Sequence, residues 1–132
     1  MCFSILTSCS GTQPRRGRLA QVQQNDKPVL VYSTFPSAEV AEQVARELIE
    51  RRLVACVNIL PGMTSIYRWD GAINRDSEVV AIIKTRSQLA AKVMQEVAAR
   101  HPYDNPALLV IEVADGGADY LKWLMTETDQ AD

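Results

Sequence analysis

A single histidine, His101, is all the imidazole this chain holds, so one copy cannot build a multi-histidine metal site. Cysteine is also scarce: there are three, an odd number, with no C-x-x-C spacing. That excludes a zinc knuckle or a thioredoxin-like motif and favours free thiols in a reducing compartment, the cytoplasm in the first instance. No run approaches the roughly 18 consecutive apolar residues that a membrane helix needs. No G-x-S-x-G elbow or other set of nucleophile, base and oxyanion donor is present, so the expectation is a protein that is not an enzyme. The basic face that nucleic acid requires is missing too. Net charge is −2; residues 1–28 hold a balance of +3, which leaves −5 to the rest.

What is present fits one globular domain, at 132 residues and 47% hydrophobic content. Residues 53–69, LVACVNILPGMTSIYRW, organise it. Asp70-Gly71 follows at once, and both residues tolerate the positive φ of a type I′ turn. The chain then returns through Glu78 to Lys84. A long antiparallel hairpin is expected, with Pro61-Gly62 as a bulge or bend in its first arm, since proline cannot donate to a ladder. A hairpin longer than one small domain needs has an outer part with no core of its own, and such an arm packs on another subunit.

Residues 1–28 have no periodicity and read as an appendage to a domain spanning 29–132. A flexible tail, a short organelle-targeting segment and a lipoprotein-type signal around Leu6-Thr7-Ser8-Cys9 are the three readings open for them. Residues 29–34, VLVYST, form a strand, and Ser37 is placed to cap the helix after it. That helix carries Val40, Ala41, Val44, Ala45, Leu48 and Ile49 as one stripe and ends near Arg51-Arg52, where cations suit the helix terminus. Residues 78–84 form the returning strand. Thr85 and Gln88 are spaced as a capping box for a second helix with Leu89, Ala90, Val93, Met94, Val97 and Ala98 on one stripe. It ends at His101-Pro102. Residues 107–113 form the last strong strand, and a short amphipathic helix with Tyr120, Leu121, Trp123 and Leu124 closes the chain.

Two strand-helix-strand halves joined by a hairpin give an α+β, ferredoxin-like split βαβ sandwich, with both of those helices on one sheet face. The strands are apolar on both faces: Leu30 and Tyr32 oppose Val29 and Val31, and Val80 and Ile82 oppose Val79 and Ile83. An antiparallel sheet with one wet face alternates with polar residues. This one does not, so burial of the open face by oligomerisation is expected.

The ordered residues resemble those of the CutA divalent-cation-tolerance family over about 29–127. They are Leu53 to Asn58, then Ile59-Leu60-Pro61-Gly62, Ser65-Ile66-Tyr67 with Trp69 and Gly71, and Glu78. Lys84-Thr85, His101-Pro102-Tyr103 with Pro106, and Asp119-Tyr120-Leu121 with Trp123-Leu124 complete the match. The resemblance implies a homotrimer of ferredoxin-like subunits, similar to PII signalling proteins, with long hairpins reaching onto neighbours. It implies a role in tolerance to copper and other divalent metals, and no reaction.

Cys56 reads either as a small buried hydrophobe or as a soft-metal donor, and His101 either as a helix-terminus cap or, with the resemblance behind it, as a metal ligand. Ser33 and Arg100 stand where some family members carry a cysteine and a second histidine. Copper or another divalent cation is therefore expected to bind weakly, with His101 and Cys56 the remaining donors, and Arg100 is expected to repel it. Lys84, Glu78, Tyr67, Trp69 and Tyr103 lie near strand ends and the hairpin, where the subunits of a trimer would meet. A cleft for an anion or small metabolite is a second expectation, as in a PII-like sensor. A structural scaffold that recruits a partner through residues 1–28 is the third.

Overall fold

The computed structural model describes residues 25–130. The chain runs β1 (Pro28–Phe35), α1 (Ala38–Glu50), β2 (Cys56–Trp69), β3 (Ala72–Arg86), α2 (Ala90–Arg100), β4 (Leu108–Glu112) and α3 (Ala118–Glu127). Neighbouring strands are antiparallel in the order β2-β3-β1-β4. This is the expected split βαβ arrangement. The expectations for residues 1–24 lie outside the described residues.

The hairpin forms as its turn chemistry dictates. Asp70 and Gly71 take φ of 52° and 76°, and Trp69 sits opposite Ala72. Pairing runs down to Met63 and Glu78, breaks at Pro61-Gly62, and resumes one register later at Leu60 and Val80. Gly62 has φ +82°, a conformation few side chains accept, so the break is written into its glycine. The last β1 pairing is Phe35 with Val79. Among the described residues, everything in the hairpin beyond that pair is a two-stranded ribbon with no third strand, and such a ribbon is marginal alone. Ile66 and Ile73, at its end, are 69% and 70% exposed.

Alternation sorts the sheet into two faces. Val31, Phe35, Val79, Ala81 and Ile83 face α1 and α2 and pack with Val44, Leu48, Val93 and Val97 into one core. Each such fully buried aliphatic side chain stabilises the fold by about 1.5–3 kcal/mol. Ser37 caps α1 as expected, its Oγ accepting the Val40 N–H at 3.2 Å. Arg100 of α2 does not stand as a loose cation. It donates to Glu47 of α1 at 2.6 Å and to Glu96 on its own helix, so its charge is locally balanced. Hydrogen bonds from Arg51 and then Arg100 hold the Glu96 carboxyl down at about 2.

The start of α2 corrects the capping-box expectation. Thr85 is still in β3, fully buried, and its Oγ1 donates to the Leu53 carbonyl at 2.6 Å. The cap comes from Asp26 instead. Its Oδ1 accepts the Gln88 N–H at 3.0 Å and the Ser87 hydroxyl at 3.2 Å, while Oδ2 takes Arg86 at 2.9 Å. A short 3-10 turn, Ser87–Leu89, leads into the helix. The domain boundary moves accordingly. Asp26, Lys27 and Pro28 belong to the folded unit rather than to an appendage ending at residue 28, with Pro28 already in β1 and Lys27 hydrogen-bonded to Ser87.

The second face is not wholly bare. Lys84 and Arg86 point to it, and α3 packs there. Lys84 Nζ lies 2.9 Å from the Tyr120 hydroxyl, Arg86 Nε donates to Thr128 at 3.0 Å, and a further Arg86 N–H donates to the Met125 carbonyl. Beyond α3 the face carries Leu30, Tyr32, Val80 and Ile82, half-buried, with Leu109 and Ile111 of the edge strand 59% and 45% exposed. Among the described residues, no helix is long and apolar enough to cross a membrane.

Candidate functional site

At the end of β1 nearest the ribbon, the sheet, the hairpin and the α2–β4 connection enclose a cleft of about 750 Å³. The hairpin pairing places its floor. With Tyr67 opposite Asn74, Ser65 opposite Asp76 and Met63 opposite Glu78, these side chains share the face that carries Tyr32. Glu78 is the hub. Its Oε1 accepts the Ser65 hydroxyl at 2.6 Å and its Oε2 the Tyr103 hydroxyl at 2.8 Å. Asp76 accepts the Tyr67 hydroxyl, and Tyr32 donates to the Met63 sulfur at 3.7 Å. Trp69 and Arg68 from the hairpin, and Asp104 from the connection, complete the walls.

Tyr103 reaches the cleft because His101 holds it. The His101 ring stacks on Phe35 at 4.5 Å between centroids and meets the Tyr103 ring at 4.7 Å. Nε2 faces the Thr34 carbonyl at 2.7 Å, and Nδ1 faces the Tyr103 N–H at 3.1 Å. A carbonyl can only accept and an N–H can only donate, so the proton sits on Nε2 and the Nδ1 lone pair is engaged. His101, buried, is a post that joins the core to the cleft wall.

Desolvation pushes the Tyr103 phenol up to about 12, and its bond to Glu78 and the nearby Glu78 and Asp76 charges add to that. The Tyr67 phenol is raised as well, first by its hydrogen bond to Asp76. A tyrosine ordinarily ionises near 10, so the fold favours neutral Tyr103. That stabilisation is whole below about pH 10 and is lost as pH climbs through about 12. Absorbance titration at 295 nm should show the Tyr103 phenol ionising at this alkaline end. It should vanish in Tyr103→Phe and move to lower pH in Glu78→Gln; an unchanged titration in both variants would refute the assignment.

Of the residues singled out from the sequence, Glu78, Tyr67, Trp69 and Tyr103 meet in this cleft. Lys84 does not. It sits at the other end of the sheet, over the Tyr120 ring at 5.2 Å, and its ammonium is raised chiefly by the Tyr120 hydroxyl, with burial opposing. Cys56 is opposite Lys84, half-buried on that same face, with its sulfur 3.8 Å from the Asn58 amide. His101 and Cys56 are therefore far apart. Leu30, in line with Lys84 and Cys56, is four residues from Thr34, roughly 13 Å along the strand. The two donors also lie on opposite faces of the sheet, so they do not fit a shared copper site within one chain. Among the described residues, no group of three or more His, Cys, Asp or Glu side chains is placed to hold a metal ion. Ser33, on the core face, is fully buried, and its hydroxyl has no hydrogen-bond partner among the described residues.

The sequence assigns no role to Asp76, Ser65 or Asp104, although Ser65 stands in the matched Ser65-Ile66-Tyr67 run. For the first two the turn itself holds a signal: a two-residue loop at Asp70-Gly71 fixes Trp69 opposite Ala72, and counting back sets Ser65 against Asp76. Asp104 is placed only by the folded connection.

Residues 29–127 match the model of the CutA1 divalent ion tolerance protein family. The chain is 46% identical over 100 residues to the divalent-cation tolerance protein CutA of Pyrococcus horikoshii, covering 76% of this chain and 97% of that one. It is 36% identical over 111 residues to the protein CutA, chloroplastic, of Arabidopsis thaliana, covering 84% of this chain and 61% of that protein. The solved structure of the divalent cation tolerance protein from Thermus thermophilus superposes with a TM-score of 0.75 at 43% identity, over 77% of this chain and 99% of that one. The hairpin, the sheet order and the family match agree, and the chain belongs to the CutA1 divalent ion tolerance family.

Proposed function

We propose that this chain serves divalent-metal tolerance as a non-enzymatic homotrimer in the cytoplasm and holds copper only weakly. Family membership carries the reading: relatives such as the Pyrococcus horikoshii protein are named for divalent-cation tolerance. The exposed apolar strand β4 and the unsupported ribbon support self-assembly, since an open apolar edge and face are the surfaces a second copy covers. The odd cysteine count supports a reducing compartment. Weak copper binding follows from His101. A cation at Nδ1 must displace the Tyr103 N–H, and Cys56 is too distant to join it in the same chain.

Calorimetry of the full chain with divalent copper tests this. The expected dissociation constant is on the order of micromolar or weaker. His101→Ala should remove most of the binding. Tight binding that survives His101→Ala would place the metal elsewhere and refute the assignment. A second reading, a PII-like sensor taking a small metabolite, is favoured by the cleft at Glu78 and Tyr103.

A further inference from the structure

We propose that the cleft between the hairpin and the α2–β4 connection recognises an organic cation, a guanidinium or alkylammonium group, rather than an anion. The inference rests on the second reading above and names its ligand class. Among the described residues, three carboxylates, Asp76, Glu78 and Asp104, line the cleft against one cation, Arg68. Lys84, the group an anion would use, is at the opposite end of the sheet. The walls between the carboxylates are aromatic: Tyr32, Tyr67, Trp69 and Tyr103. Aromatic faces attract cations, and guanidinium and alkylammonium groups give up water more readily than a bare metal ion does.

The carboxylates are prepared for such a guest. Glu78 accepts one hydroxyl on each oxygen, and a carboxylate has about four acceptor sites, so capacity remains on both. Asp104 is exposed at the rim, where it would meet an incoming cation first. The hydrogen bond to Asp76 raises Tyr67 first and desolvation raises Tyr103 first, and the nearby Asp76 and Glu78 charges add to both.

Trp69 is one of only two tryptophans and lies in the wall, so it reports on binding directly. The experiment uses the full assembled chain carrying Trp123→Phe, and follows Trp69 fluorescence during titration with agmatine, choline, inorganic phosphate and divalent copper. Agmatine should give a saturable change, and choline a weaker one. Glu78→Gln should lower agmatine affinity about tenfold or more, equivalent to about 1.4 kcal/mol. Asp104→Asn, at an exposed position, should weaken it without altering the melting temperature, which keeps the test valid if Glu78→Gln misfolds. Saturation by phosphate with no response to agmatine would overturn the cation class yet leave a metabolite cleft standing. Copper saturating the signal in place of agmatine would also overturn it. Silence of every probe would overturn both the class and the metabolite reading.

Discussion

Ile82→Asp should leave a chain that folds but no longer assembles. Ile82 lies in the middle of β3, opposite Tyr32 on one side and Asn58 on the other, on the face that α3 leaves open. In one copy it is half-buried, so an aspartate there can still reach water. Against a second copy that route closes, and burying an unpaired carboxylate costs several kcal/mol. Light scattering on the variant should give the 14.7 kDa mass of a single chain. Lys92→Glu on the exposed side of α2 is the control and should leave the assembled mass unchanged. A wild-type chain that is a stable folded monomer at micromolar concentration would end the argument.

Asp26→Ala should be the most damaging single change near the start of the fold. The Asp26 side chain is only 6% exposed and serves three partners: Arg86, the Ser87 hydroxyl and the Gln88 N–H. Its loss removes the cap of the turn into α2 and leaves Arg86, 19% exposed, without its carboxylate. Caps are worth about 1 kcal/mol, and breaking a buried pair costs more. A total of about 2–4 kcal/mol is expected, which for a domain of this size lowers the melting temperature by about 10–20 °C. Thermal melts followed by circular dichroism should show this. A fall of no more than a degree or two would mean that Arg86 is held well enough by Thr128 and Met125 alone.

Asp26 also shows where sequence reading stops. Nothing in the local sequence of residues 25–28 marks a helix cap, because the helix it caps begins some sixty residues later. Thr85 and Gln88 have the spacing of a capping box, but the pairing of β1 with β3 extends the strand through Arg86 and turns Thr85 inward to Leu53. Tertiary pairing overrode a local preference. The cleft divides in the same way. Tyr67, Trp69 and Glu78 follow from the hairpin and its turn, whereas Tyr103 and Asp104 reach it because His101 stacks on Phe35 and fixes the connection.

The sequence alone determined the elements, the hairpin with its turn and bulge, the split βαβ order and the family. Those rest on short-range physics: apolar periodicity, positive φ at Asp70-Gly71, the missing donor at Pro61, and residues matched in order. Only the tertiary structure decided which side chains meet. It separated Cys56 and Lys84 from His101 and Glu78 by placing them at opposite ends of one sheet. It took up the His101 lone pair with a backbone N–H, balanced Arg100 against Glu47 and Glu96, and gathered three carboxylates around four aromatic rings. The physical reason is that a strand separates residues by about 3.3 Å each and alternates their faces, so neighbours in a motif can end far apart while residues distant in the chain share a site.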